Sequence, residues 1–271
     1  GERMLQCPEG SLRVFDFTHA IVREPGRSVV NVISSASSPP RYDGVVAEHR
    51  AYVAALRGAG LTVDVLPPLD AFPDSVFVED PALTFAEGAI LLRPGAKSRE
   101  AEREEMRLVL QRHFSKILEL DEGDYVDGGD ILVTPKEIFI GLSARTTQKG
   151  ADALIGLLRE FGLRGRVGHT PADVLHFKTA SALLDEETIL ATKPMADSGV
   201  FADYRVLVTP DGEDAAANAL RINDTVLIGA HYARTIDMLS KADYRVRAVE
   251  MAEVAKLDAG LSCMSLRWFK A

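Results

Sequence analysis

Thiols are scarce in this chain: Cys7 and Cys263 are the only cysteines among 271 residues, and they stand at opposite ends. Two thiols without metal-ligand spacing exclude a zinc cluster or a disulfide framework and leave a reducing cytoplasm as the natural compartment. Long apolar runs are missing too. No stretch reaches the roughly eighteen residues of a membrane helix, and no charged segment with a short apolar core opens the chain. Basic residues are outnumbered, 31 against 40 acidic, for a net charge of −9. That field repels nucleic acid and anionic membrane and mildly favours cationic small substrates. A glycine-rich phosphate loop is also lacking, which counts against a doubly wound nucleotide-binding sheet.

What remains is ordinary for a globular protein: 46% hydrophobic and 26% charged residues, in a chain long enough to bury a core without staples. Residues 1–12 are expected to be a disordered leader and 13–271 a single domain. Within that domain a unit recurs. One copy runs from Pro81 to Phe85, turns at Glu87-Gly88, continues through Ala89 to Arg93 and ends in a charged helix from Arg99 to His113. A second begins at Asp130, turns at Pro135-Lys136-Glu137 and ends in a helix near Gly162; a third starts near Ala180 and a fourth at Asn218. The fifth is split, with Phe17–Arg23 and a helix Tyr42–Gly58 opening the chain and Ser262–Arg267 closing it. Helix Tyr42–Gly58 shows the 3.6-residue period in Val45, Val46, Tyr52, Val53 and Leu56. Closing strands such as Leu61–Leu66 and Tyr244–Val249 complete each unit. Such units cannot bury their faces alone, so five arranged radially predict a closed α/β barrel or propeller in which the last strand pairs with the first.

Chemistry-bearing residues cluster where strands of these units end. In Phe72-Pro73-Asp74-Ser75-Val76-Phe77-Val78-Glu79-Asp80, three carboxylates interleave with apolar residues. If the stretch is extended, Asp74, Val76, Val78 and Asp80 share a face and Glu79 takes the other. Unpaired buried carboxylates are costly, and a planar guanidinium would compensate them through paired charge-assisted hydrogen bonds. Turns, caps and internal arginine partners explain such a cluster equally well. Asp127-Gly128-Gly129-Asp130 reads as a loop. His176 lies among apolar residues in an expected strand, where a lone histidine is more often a satisfied core residue than a catalyst. His113 and His49 read as helix residues and His169 as a loop residue. Cys263 sits in Gly260-Leu261-Ser262-Cys263-Met264-Ser265-Leu266; a cysteine in an apolar strand is usually inert packing, but the serines and glycine argue against full burial. A cysteine with a distant histidine is a candidate nucleophile pair.

Taken together, these clusters resemble the dimethylarginine dimethylaminohydrolases, guanidino-group-modifying enzymes that share a five-bladed ββαβ propeller. The likeness spans Phe17 to Arg267 and rests on the order of Phe72–Asp80, Arg93-Pro-Gly, Ser98-Arg99, Asp127–Asp130, Gly141–Thr146, Val174–Lys178, Ala216-Ala-Asn218 and Ser262–Leu266. The resemblance implies Cys263 as nucleophile, His176 as general acid/base and Asp127 as the carboxylate that orients it. It implies that Asp80 grips the guanidinium with Glu79 behind it, and that Phe77 and Leu257 line the pocket. Arg99 and Arg145 would hold a substrate carboxylate, and Asp74 with the carbonyl of Ile33 an α-amino group. The segment Arg27–Pro40 would form a flap, with Asn31-Val32 where some relatives have Asp-Gly, so Val32 should stiffen it. The implied reaction releases citrulline through a thiouronium on cysteine, with no metal or cofactor. The expected partner is a small cationic guanidino substrate, with no nucleic acid and no membrane; a homodimer is one assembly left open. Two other readings stay open: deimination of arginine or another guanidino compound, and a non-catalytic binding protein for arginine derivatives. A cysteine peptidase is a distant third.

Overall fold

Five small three-stranded sheets stand around an axis in this computed structural model, which describes residues 14–32, 34 and 36–271. The expected leader, residues 1–12, and its boundary with the domain therefore lie outside the described residues. In chain order the elements are β1 (His19–Arg23), α1 (Tyr42–Gly58), β2 (Thr62–Leu66), β3 (Ala82–Phe85), β4 (Gly88–Leu91), α2 (Glu102–His113) and β5 (Ile117–Glu119). They continue with β6 (Ile131–Val133), β7 (Ile138–Leu142), α3 (Gln148–Glu160), β8 (Gly165–His169), β9 (Ser181–Leu183), β10 (Thr188–Ala191), α4 (Lys193–Asp197) and β11 (Arg205–Val208). The last are β12 (Leu220–Ile222), β13 (Thr225–Gly229), α5 (Ala233–Lys241), β14 (Val246–Val249), α6 (Ala252–Ala255) and β15 (Leu266–Trp268).

Each sheet has the same plan. A tight antiparallel hairpin is followed by a helix that carries the chain back to a parallel third strand, as a parallel pair requires. The split unit obeys it as well: β15 pairs antiparallel with β1, Ile21 opposite Leu266, and β1 pairs parallel with β2. Middle strands β4, β7, β10 and β13 are covered on both faces, and this explains their unbroken apolar runs.

Closure is visible in the packing. Five apolar clusters each join neighbouring sheets: Ile21 and Leu266 meet Ala82 and Leu91, and Ile90 and Leu92 meet Ile131 and Ile140. Leu132 and Phe139 meet Leu183 and Ile189, and Leu184 and Leu190 meet Val226 and Ile228. The ring closes where Leu220 and Leu227 pack on Ala20, Val22 and Tyr52 of α1. The architecture is a five-bladed α/β propeller.

Three local expectations change. Residues 72–80 are not extended but a chain of turns, with Phe77 N–H donating to Asp74 O and Asp80 N–H to Phe77 O. Strand period therefore does not decide which way those carboxylates face. His176 and Cys263 lie outside strands: His176 is an extended residue just ahead of a 3-10 turn, Phe177–Thr179, and Cys263 sits inside another, Leu261–Met264. His169 ends β8 rather than lying in a loop, and Arg99 falls in a 3-10 turn ahead of α2.

Candidate functional site

Three segments far apart in sequence are laced together by their backbones. Glu79 N–H donates to Cys263 O at 3.3 Å, and Gly128 N–H donates to Asp80 O at 2.9 Å. The second approach requires glycine, because a Cβ at residue 128 would stand 1.8 Å from Glu79 O. The carboxylate turns, the Asp127 loop and the thiol turn thus share one wall.

On one side of that wall lies a cavity of about 490 Å³, lined by Cys263, His176, Asp80, Asp74, Phe77, Arg99, Arg145 and Leu257 among others. Asn31, Val32 and Ser34 border it, as does Asp258 at a left-handed φ of 57°. Val32 itself is extended (φ −61°), so that position makes no demand for glycine. Ile33 lies outside the described residues.

His176 donates through Nε2 to Oδ2 of the fully buried Asp127 at 3.0 Å. The other carboxylate oxygen, Oδ1, accepts from Gly95 N–H at 2.8 Å, and the backbone N–H of Asp127 donates to Thr146 Oγ1. Burial alone would lower the histidine pKa, but the bond to Asp127 and the fields of Asp80, Asp130 and Asp127 outweigh it and raise it to about 9. Asp130 is buried and accepts from Ser143 and Thr146 hydroxyls and from Phe177 N–H, which fixes the backbone beside His176.

Asp80 accepts from Arg99 Nη1 at 2.5 Å and from Gly129 N–H at 3.2 Å. Burial works against its charge, yet Arg99 and His176 hold its carboxyl below the ordinary value. Arg99 is 3% exposed. Its guanidinium forks onto Glu102, Nε to Oε2 at 2.9 Å and Nη2 to Oε1 at 2.8 Å, and Nη2 also donates to the carbonyls of Asp74 and Phe77. All three of its nitrogens are engaged internally, as a buried guanidinium demands, so the expected hold of Arg99 on a substrate carboxylate would fall to the second Nη1–H at the cavity wall. Arg145 differs. It is half-buried at the cavity wall, and its guanidinium has no hydrogen-bond partner among the described residues. Burial raises the Asp74 carboxyl, with Arg99 and Arg145 pulling it back.

Glu79 is not in this cavity. Its Oε2 accepts from Lys178 at 2.7 Å and Arg267 at 2.9 Å, and it lines a second, smaller cavity of about 120 Å³ on the other side of the wall. Cys263 is half-buried, and desolvation of its thiol together with the charges of Glu79 and Asp80 pushes its pKa up to about 11. Atoms of Asp80, Asp127 and His176 lie within 4.8 Å of one another. Asp127 is already bonded to His176 and Gly95, and Asp80 to Arg99 and Gly129.

Residues the sequence did not single out for a role are Glu102, Asp130 and Asn218. Glu102 was findable three residues after Arg99, where helical spacing brings side chains together; the other two act through long-range contacts.

A family model described as "N,N dimethylarginine dimethylhydrolase, eukaryotic" matches residues 38–163. The N(G),N(G)-dimethylarginine dimethylaminohydrolase of Pseudomonas aeruginosa is 38% identical over 254 residues, 93% of this chain and 100% of that protein. A solved structure of a cysteine-to-serine variant of the P. aeruginosa enzyme complexed with citrulline superposes with a TM-score of 0.90, at 38% identity, covering 93% of this chain and 100% of that one. A dimethylarginine dimethylaminohydrolase histidine-to-glycine variant, solved as an adduct with S-methyl-L-thiocitrulline, gives 0.89 at 38% identity, covering 93% and 99%.

Proposed function

The chain belongs to the dimethylarginine dimethylaminohydrolase family, and on that premise we propose that it hydrolyses methylated arginine to citrulline and the methylamine, with Cys263 as nucleophile. The observation that carries this reading is one cavity presenting a thiol, an imidazole charged up to about pH 9, an ionised Asp80 and an Arg145 guanidinium with no partner among the described residues. A substrate with a guanidinium at one end and an amino-acid head at the other matches that charge pattern.

Each Asp80 oxygen has one partner, and a carboxylate offers about four lone-pair sites, so it can still take a planar cation. Glu102 neutralises Arg99, which leaves the Asp80 charge available. Arg145 takes the substrate carboxylate and Asp74 the α-amino group. Phe77 and Leu257 are buried apolar walls for the substrate stem.

The bound cation brings a positive charge beside the thiol. It offsets the Asp80 field at Cys263 and so favours the thiolate, the attacking species. Sulfur adds to the guanidinium carbon to give a tetrahedral adduct. His176 gives its proton to the substituted nitrogen, the C–N bond breaks and dimethylamine departs. A thiouronium remains on Cys263. Water then loses a proton to the neutral imidazole and adds to the same carbon; the C–S bond breaks, citrulline leaves and the thiolate returns. Asp127 keeps the ring oriented through both steps.

The test is product release from dimethylarginine, monomethylarginine, arginine and agmatine. Citrulline with dimethylamine is expected from the first at the highest kcat/KM, and Cys263→Ser should lower turnover by at least about a thousandfold. Faster ammonia release from arginine would reassign the chain to deimination. No product from any of the four would overturn hydrolysis.

A further inference from the structure

The run Ala216-Ala217-Asn218 has no part in the reaction just described, yet its last side chain reaches the nucleophile. Asn218 follows the 3-10 turn Asp214–Ala217, immediately before β12, and is buried. Its Oδ1 accepts from Ser262 N–H at 3.3 Å and from Ser262 Oγ at 2.8 Å. A backbone N–H can only donate, so this contact fixes which way the amide faces. The Nδ2 group is thereby aimed at sulfur, donating to Cys263 Sγ at 3.5 Å. The amide also lies flat on Gly260: a Cβ there would be 2.2 Å from Asn218 Cγ and 2.4 Å from Nδ2. Gly260 O in turn accepts from Cys263 N–H at 3.3 Å. One side chain thus touches residues 260, 262 and 263.

The surroundings give this contact its weight. Glu79 and Asp80 raise the thiol pKa through their charges, and burial raises it further. Glu79 is partly offset by Lys178 and Arg267. Asp74, Arg99, Arg145, His176 and Asp258 line the same cavity, and Tyr52 holds the thiol turn from behind by donating to Leu261 O at 2.6 Å. Among these neighbours the Asn218 amide is a neutral donor aimed at the sulfur itself, so it favours the anion without adding a charge that would repel a cationic substrate.

We propose that Asn218 is a positioning residue for the nucleophile: Oδ1 locks the thiol turn through Ser262, and Nδ2–H donates to the Cys263 sulfur, stabilising the thiolate and fixing its direction. The proposal rests on Cys263 being the reactive thiol. It adds a residue to the reaction and moves no atoms of its own.

Alkylation by iodoacetamide without substrate reads the thiolate directly. The rate is followed along its rising limb between pH 6 and 10.5, below the thiol midpoint near 11, on the full chain carrying Cys7→Ser, so that one thiol reports and a shift displaces the whole limb. Asn218→Ala should shift the thiol titration upward by about one unit and slow alkylation at pH 8 about tenfold, as expected for one hydrogen bond to a charged group. Asn218→Asp keeps the oxygen that holds Ser262 but loses the donor. It should show at least the same shift, and it replaces the alanine variant if that one does not fold. On dimethylarginine both variants should lower kcat about tenfold or more and change KM less than about threefold. Ser262→Ala, which loses only the hydroxyl partner, should leave the thiol titration in place. An unshifted titration in both Asn218 variants would overturn the proposal, whatever happens to turnover. A wild type that alkylates normally and shifts with Asn218, yet releases no citrulline, would support the contact while sinking the functional reading.

Discussion

Glu79 and Asp80 are adjacent carboxylates, both nearly buried, and they face opposite sides of one wall. On the Glu79 side two cations close on a single oxygen, Lys178 and Arg267, and Arg267 is further tied to the carbonyls of Ser262 and Ser265. On the Asp80 side the arginine is already neutralised by Glu102, the imidazole is shared with Asp127, and Arg145 has no hydrogen-bond partner among the described residues. The same division runs through the chain: Lys178 and Ser262 border the small cavity, whereas His176 and Cys263 border the large one. A buried carboxylate clamped by two cations is structure, even where its other oxygen, Glu79 Oε1, has no partner among the described residues. One whose partner has been taken by a third group keeps the capacity to bind.

That contrast breaks most sharply at Asp80. Asp80→Asn keeps the shape and removes the charge that offsets a substrate cation, and kcat/KM for dimethylarginine should fall by about a hundredfold to a thousandfold. Steady-state kinetics beside a thermal melt measure both halves; an unchanged kcat/KM would make Asp80 a structural acid like its neighbour. Arginines give the next step down. Arg145→Ala should raise KM for dimethylarginine about tenfold to a hundredfold, the range expected for losing a charge-assisted pair, while turnover of agmatine, which lacks the carboxylate, stays within about threefold. Equal losses on both substrates would remove Arg145 from the carboxylate site.

How far all this was legible depended on period. Helix α1 has the bounds its apolar stripe predicts, and the hairpins of β3–β4 and β12–β13 fall at Glu87-Gly88 and Asn223-Asp224, where the turn residues stand. At Asn223 a left-handed φ of 50° explains the choice of asparagine. The site residues sit instead in or beside short turns, which carry no period: Cys263 and Arg99 within 3-10 turns, His176 and Asp127 just ahead of them, and the strands expected at His176 and Cys263 stop short of both. A strand rule also could not foresee the turns of residues 72–80. Which carboxylate meets which cation is set by contacts across 19 to 188 positions, as for Asp80–Arg99 and Glu79–Arg267, and no local pattern encodes them.

The smallest effect on turnover should come from Glu79→Gln, and there the two sides of the wall separate. Loss of that charge leaves Lys178 and Arg267 buried without their shared carboxylate, a change that typically costs about 3 kcal/mol, so the unfolding midpoint should drop clearly. The reaction should stay within about threefold, because Glu79 touches neither the cavity nor the substrate. Its field acts on Cys263 all the same, pushing the thiol up. Removing it should move the thiol titration down, opposite in sign to the shift expected when Asn218 loses its donor. A Glu79→Gln protein as stable as the wild type but catalytically dead would place this carboxylate in the reaction, and the division between the two faces would fail.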